Sequence, residues 1–475
     1  MSTHVFLSIK QSSKDIKLLW FSVFVRMLSF GFTNQVLILY LEELGITESQ
    51  IGIFISLTMI GDSILSYFLT WNSLKFGNRN IMWSGALLMF AAGSVFASGT
   101  TNFTYLLLAA VFGVISPSGN DTGPFKTIEE TVLAHLTPPN HRAEIYAVHW
   151  VLGSVGSSLG SLIAGLFIQY SVFNLGNSYK QAYQRSFYIF CLVSAIKFIL
   201  MLFLSHKTEH SYIPPYQRQL QQHQDQQRQQ EPAIFYGSID DDNDPRFESI
   251  RQSASRSSLA VQSTVEHQTW TGLSPHTQSI LFQLLVPFMM DSFGYGFMPG
   301  AWVVYYFKTY LGASSVLLGI LFSSSDIAMS ISAIPSAWFA KRFGPIKSSV
   351  FTQIPCGIFF ACVPIFGSSI PVAAAFYLLN QVTTAFDVVP RQIILTSIVK
   401  PEELAKVMGS VNIGKQIARS ISPYLTGVLA EHGYLWICFL ISASFLILAN
   451  VILAIRFRGL DEKVRKMESV NHEIA

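Results

Sequence analysis

Ten ionisable side chains in this 475-residue sequence fall inside long apolar runs or at their ends: Arg26, Asp62, Asp121, His149, Lys197, Asp291, Asp326, Asp387, Lys415 and Arg419. A charge inside an apolar segment is costly and needs a partner or a wet cavity. Two kinds of chemistry fit such groups. A carboxylate can carry a proton or bind a solute, and a carboxylate facing a cation can lock two helices together. Lys415 and Arg419 are four apart, so on a helix they share a face and call for an anion. Neutral polar residues join them. Asn34 and Gln35 in one run, and Asn380 and Gln381 in another, can hydrogen-bond a solute or a neighbouring helix.

The elements that must position these groups are membrane helices. The sequence is 50% hydrophobic and 12% charged, with mean hydropathy +0.40. Soluble domains carry roughly 25% charged residues, so lipid must be the solvent for most of this chain. A crossing helix needs about 20 apolar residues. Twelve spans are expected, near 18–40, 50–70, 80–99, 103–120, 145–169, 186–205, 282–307, 316–338, 348–366, 370–389, 407–430 and 434–456. They form two six-helix bodies, over 18–205 and 277–456, with tails at 1–17 and 457–475. The first residues are polar, with Lys10, Lys14 and Lys17, and do not read as a cleaved secretory signal.

The second body repeats the first. Gly52 and Gly77 recur as Gly319 and Gly344, shifted by 267; Asp121 and Pro124 as Asp387 and Pro390, shifted by 266; Ala143 and Gly165 as Ala405 and Gly427, shifted by 262. Internal repeats of this kind build a midplane site between two halves in secondary transporters.

Orientation follows the lysine and arginine count. With the N-terminus in the cytoplasm, the short inner loops hold Lys75, Arg79, Lys126, Arg142, Lys341, Arg342, Lys347, Arg391, Lys400 and Lys406, while the outer loops hold Lys180, Arg185 and Lys308. Both termini are therefore expected in the cytoplasm, in a plasma or vacuolar membrane. Residues 206–276 form a hydrophilic cytoplasmic linker with a Gln tract and an acidic run at Asp240 to Asp244. Its few apolar residues predict disorder. Arg246-Phe-Glu-Ser249 and Arg251-Gln-Ser253 could meet kinases within 246–258.

Two six-span bodies, a long middle loop and basic 2–3 and 8–9 loops resemble the major facilitator superfamily. That family's 2–3 loop ends in Asp-Arg-x-Gly-Arg-Arg, and here the stretch reads Leu74-Lys75-Phe76-Gly77-Asn78-Arg79. The aspartate is replaced by Leu74, so the usual charge relay is incomplete or draws on Asn72 or another carboxylate. The second-half counterpart is Lys341-Arg342-Phe343-Gly344. Ser116 to Glu130, with Asp387-Val-Val-Pro-Arg391, is similar to a fungal branch of facilitators. The resemblance implies an all-α fold of two pseudo-symmetric bundles, with spans 1, 4, 7 and 10 lining a cavity. Arg26 and Asp291, on spans 1 and 7, are then favoured as substrate or proton groups, with Asn34, Gln35, Asn380, Gln381, Lys415 and Arg419. It also implies gates: Asp121 with Lys75 or Arg79, and Asp387 with Lys341 or Arg342. Gly77, Gly344, Arg391, Asp62 and Asp326 belong to the same gating set. Arg26 and Lys415 each lie about eight residues into their spans, about 12 Å at 1.5 Å per residue, deep enough to face that cavity. Glu129 and Glu130 are expected on a cytoplasmic surface helix beside Arg142, and Lys197 as a snorkelling or helix-pairing lysine.

The function expected is alternating-access transport of a small, polar organic solute, with protons as a coupling partner. The alternative is a non-transporting sensor that signals through the linker. The partners are a solute and the bilayer. Nucleic acid is not expected, and the chain reads as a monomer. No phosphate-cradling loop is present. His135, His141 and His149 are too scattered for a metal, and Cys356-x5-Cys362 reads as helix packing. No cofactor, metal or enzymatic activity is expected.

Overall fold

Ten helical stretches of the described residues are long and apolar enough to cross a membrane. They correspond to the expected spans other than 4 and 11. The computed structural model describes residues 12–113, 115, 124–138, 141–209, 211–216, 218, 273–367, 369–399 and 401–462. Asp121, most of the linker and its Ser249 and Ser253 lie outside the described residues. The regular structure described is helical throughout.

Local chemistry sets the helix starts, and it repeats between the halves. Ser13 caps span 1 and Ser274 caps span 7; Thr47 caps span 2 and Ser314 caps span 8. In each case a hydroxyl accepts an otherwise orphaned backbone N–H of the first turn. Thr47 with Gln50, and Ser178 with Gln181, form reciprocal capping boxes at spans 2 and 6.

Spans 4 and 10 run longer than their apolar runs. Helix Phe103–Phe112 is followed by a second helix at Pro124–Leu136, and helix Ile370–Thr384 continues through a short turn into Val388–Ile398. In span 10 the polar residues that appeared to end the span, Asp387 and Arg391, lie inside this continuous stretch; residues 116–123 between the two helices of the first half lie outside the described residues. Span 11 is one helix, Pro401–Glu431.

Spans 1 and 7 are interrupted. Lys14–Asn34 gives way to Leu37–Glu43, and Pro275–Phe297 to Gly300–Thr309. Pro299 has no N–H to continue the second of these ladders. The Phe297 carbonyl left free there accepts the Thr426 hydroxyl at 2.7 Å. The breaks are related by the internal repeat and face each other, since a Cβ on Gly300 would lie 2.8 Å from Asn34 Nδ2.

The halves meet along spans 2 and 11, 5 and 8, and the second segments of spans 1 and 7. Two pairs of repeat-marking glycines make the crossings. A Cβ on Gly52 would lie 2.9 Å from the Gly427 Cα, and a Cβ on Gly165 would lie 3.0 Å from the Gly319 Cα. With no side chain at either position, the backbones touch.

The apolar cores show which end is sealed. At the end away from the tails one core joins both halves, with Leu37, Tyr40 and Phe54 against Trp302, Tyr305 and Phe439. At the end that carries the tails there are two separate cores. One holds Trp20, Ile81, Val132 and Met201, and the other Leu284, Ile346, Ile394 and Leu453. Among the described residues, the halves thus share one apolar core at the far end and keep separate apolar cores at the tail end.

Candidate functional site

Span 7 carries Phe288, Asp291 and Tyr295 at helical spacing on one face. Arg391 of span 10 reaches that face. Its two terminal nitrogens donate to the two oxygens of Asp291, at 2.5 and 2.9 Å. Its Nε donates to Asp387, one turn back on the same span. Asp387 also accepts the Ser349 hydroxyl of span 9 at 2.5 Å. One guanidinium therefore holds two carboxylates, the bidentate geometry for which arginine is suited. This triad is not sealed: the Arg391 and Asp291 side chains are 18% and 15% exposed.

Span 11 adds two more cations. Lys415 Nζ and the Arg391 guanidinium both lie over the Phe288 ring, at 6.0 and 5.4 Å. The Arg419 guanidinium lies 4.4 Å over the Tyr295 ring. An aromatic face attracts cations and holds these side chains in place. The cluster thus contains three cations and two carboxylates.

The first half carries a corresponding pair with its signs exchanged. Arg26 of span 1 donates to Glu129 of span 4 at 2.8 Å, and Lys197 of span 6 lies 3.6 Å from the same carboxylate. The Ser22 hydroxyl donates to it at 3.0 Å. Arg26 precedes Asp291 by 265, and Glu129 precedes Arg391 by 262, both within the range of the glycine repeats. This cluster is sealed, with Glu129 fully buried and Lys197 1% exposed.

Three expectations are corrected here. Glu129 is not on a solvated surface helix, because Ile128, Val132 and Leu133 turn the same helix into the core. Arg142 does not serve Glu129; it donates to the Thr137 carbonyl and the Tyr216 hydroxyl. Asp387 is not paired with Lys341 or Arg342, which are exposed. Span 10 continues past Asp387, which leaves that carboxylate buried inside the bundle beside Arg391.

The other anticipated residues separate by position. Asn34 and Gln35 are buried at the break in span 1, and Asn34 Oδ1 and Gln35 Nε2 meet no hydrogen-bond partner among the described residues. Asn380 ties span 10 to span 9 by donating to the Cys356 carbonyl at 3.1 Å, and Gln381 donates to Asn380. Asp62 is buried in span 2. Asp326 of span 8 is half-buried. Lys75 is exposed.

Gly77 and Gly344 hold matching devices that span patterns do not reveal. Both have positive φ, 79° and 90°. At Gly77 the Glu209 carboxylate, from just beyond span 6, accepts the Asn78 and Arg79 N–H groups at 2.8 and 3.1 Å. At Gly344 the Asp461 carboxylate, from just beyond span 12, accepts the Ile346 and Lys347 N–H groups at 2.8 and 3.3 Å. Each carboxylate caps a helix start, where the helix dipole favours negative charge. A Cβ on Gly344 would sit 2.5 Å from the Asp461 carboxyl carbon, so both sites need glycine. At the sealed end, the Tyr305 hydroxyl of span 7 lies 3.0 Å from Glu42 and 3.1 Å from Glu48 of the other half.

A groove of ≈ 600 Å³ between spans 3 and 4 is lined by Leu88, Tyr105, Leu108 and Phe112 and has few polar atoms. It lies apart from every ionisable group above and reads as lipid-facing surface.

The Major Facilitator Superfamily model matches residues 19–308 and 284–473. An uncharacterized membrane protein of Saccharomyces cerevisiae is 42% identical over 467 residues, 98% of this chain and 99% of that one. Among solved structures, the nucleoside transporter NupG has a TM-score of 0.65 at 12% identity, covering 93% of this chain and 100% of its own. A D-xylose-proton symporter has a TM-score of 0.63 at 14% identity, covering 92% and 97%. At these identities the structural likeness concerns the fold.

Proposed function

We infer, for a chain that belongs to the major facilitator superfamily and is a secondary transporter, that it moves a small polar organic solute by alternating access, with Asp291 as its proton-carrying group. The observation that carries this reading is the Asp291–Arg391–Asp387 triad. It is ion-paired yet partly exposed, in a molecule whose halves keep separate apolar cores at the tail end. A carboxylate that can exchange its arginine for a proton or a solute is a coupling element. The sealed Arg26–Glu129–Lys197 cluster supports a structural role instead.

In this reading the tail end faces the cytoplasm, in keeping with the lysine and arginine bias of the loops. The two halves rock about the glycine crossings, and the aromatic core at the far end opens as the tail end closes. Asn34 and Gln35, at the break in span 1, present amide groups to the solute where backbone is irregular.

The test is uptake into vesicles with and without an imposed pH gradient. Uptake driven by the gradient in the wild type, and lost in Asp291→Asn, is the expected result. Uptake indifferent to the gradient and unchanged by Asp291→Asn removes the proton role. Tags on both termini found on the outer face would reverse the orientation.

A further inference from the structure

We propose that the turn between spans 8 and 9 binds the headgroup of an anionic phospholipid in the tail-end leaflet. The inference is independent of the transport reading and concerns a surface outside both charged clusters.

The repeat marks the place. Trp71, Lys75 and Phe76 lead into Gly77, and Trp338, Arg342 and Phe343 lead into Gly344, all shifted by 267. Tryptophan is enriched where lipid headgroups meet water. Trp338 at the end of span 8 is 61% exposed, and Phe351 near the start of span 9 is 62% exposed. Phe343 joins them, with its ring centroid 6.4 Å from that of Trp338 and 6.4 Å from that of Phe351. Three rings therefore form one outward wall across two helices.

Cations stand over this wall. Lys341 and Arg342 follow Trp338 by three and four residues in one helix, and Lys347 precedes Phe351 by four in the next. Residues at these spacings share a helix face. All three cations are exposed. Four residues rise about 6 Å at 1.5 Å per residue, so on each helix a ring lies one turn deeper than a cation. Asp461 accepts the Ile346 and Lys347 N–H groups and so brings the end of span 12, with exposed Arg456 and Arg458, to the same turn. Charge outermost and apolar rings below is the order of a phospholipid, with its phosphate above its chains. Basic residues at this level attract anionic lipid. A choline headgroup carries its own cation, which these side chains meet unfavourably.

The first half supplies the comparison. It keeps Trp71, 74% exposed, and an exposed Lys75, but has Asn80 and Ser84 at the positions of Lys347 and Phe351. Asn80 is occupied on its own helix, donating to the Phe76 carbonyl at 2.9 Å and accepting the Trp83 indole N–H at 3.0 Å. Its turn therefore has an indole and a cation from span 2 without their counterparts on span 3, and the preference for anionic lipid belongs to the second half.

The experiment uses the full-length protein in phosphatidylcholine vesicles that contain a lipid with brominated chains, either phosphatidylserine or phosphatidylcholine. Bromine quenches nearby indoles, and each protein is read against its own Trp338→Phe or Trp71→Phe partner to isolate one tryptophan. Trp338 should be half-quenched at a lower mole fraction of brominated phosphatidylserine than of brominated phosphatidylcholine, and Trp71 should distinguish the two lipids less. In Lys347→Gln the half-quenching mole fraction of phosphatidylserine should rise about fivefold, the factor that corresponds to the attraction of one lysine to an anionic surface. Lys347→Arg should restore it. Equal quenching of Trp338 by the two lipids, an equal preference at Trp71, or a preference untouched by joint Lys341→Gln, Arg342→Gln and Lys347→Gln substitution would each overturn the proposal. So would saturable binding of inorganic phosphate in lipid-free detergent without any preference among vesicle lipids, which would assign these cations to a soluble anion.

Discussion

In the first half, Glu129 lies between Arg26 and Lys197 with side-chain exposures of 0%, 9% and 1%. In the second half, Arg391 lies between Asp291 and Asp387 with exposures of 18%, 15% and 6%. The same two spans of each half contribute, at positions related by the internal repeat, with cation and anion exchanged. The difference in exposure separates two uses of one arrangement. A sealed ion pair that ties three helices is a fixture, because losing either member strands a charge. A triad open at one edge can trade partners at lower cost, because water or solute can take the place left behind. Symmetry of sequence therefore does not imply symmetry of role.

The sharpest way to break this contrast is Glu129→Ala. It leaves Arg26 and Lys197 buried without an anion, and breaking a buried pair costs about 3–5 kcal/mol. The expected outcome is loss of monodisperse protein and a large fall in melting temperature, read by size-exclusion and thermal unfolding in detergent. Preserved folding would mean that the first cluster is not a fixture. Asp291→Asn comes next. Folded protein should be recovered in near-normal amount, while gradient-driven uptake collapses. If Asp291→Asn unfolds the chain as Glu129→Ala does, the two clusters are alike.

A third variant tests the frame that both clusters share. In Gly165→Ala the added methyl meets the Ser315 carbonyl at 2.3 Å, and only backbone movement can relieve that contact. The crossing of spans 5 and 8 should widen, and cysteine labelling at the sealed end should rise. Unaltered labelling would show that the glycine contact is not a constraint. The smallest effect is expected from Tyr305→Phe, which removes the hydroxyl between Glu42 and Glu48. A hydrogen bond to a carboxylate contributes about 1.5–3 kcal/mol at most, and less where water competes. A modest gain in labelling at the sealed end, with normal stability, is the expected readout.

Much of this architecture was legible in the sequence. The repeat-marking glycines Gly52, Gly165, Gly319 and Gly427 proved to be the contact points between the halves. Asp291, Lys415 and Arg419 stood out because charge in apolar runs is rare, and they lie in one cluster. The misreadings share one cause. An apolar-run criterion ends a span at its first polar residues, so span 4 appeared to stop before Glu129 and span 10 just after Asp387. In span 10 the Asp387–Arg391 pair lets helical structure run on where hydropathy says it should stop, and in the first half the Arg26–Glu129 pair buries a carboxylate on a separate helix, Pro124–Leu136. The repeat itself held the missing signal, since Arg26 with Asp291 (shift 265) and Glu129 with Arg391 (shift 262) both fall within the range of shifts set by the repeat-marking residues and pair opposite signs at both sites. The break at Gln35 has no local marker comparable to Pro299 and becomes legible only through its symmetry mate.

The glycine crossing on span 11 has a mechanical consequence. Gly427 sits near one tip of a helix that runs back to Pro401, a length of about 39 Å at 1.5 Å per residue. A lever pinned there and tilted by roughly ten degrees sweeps its free tip through about 7 Å while the pin stays still. Motion is amplified toward the free tip and damped toward the pin, so a small adjustment at the bare-backbone contact is enough to open or shut a passage of molecular width at the other side.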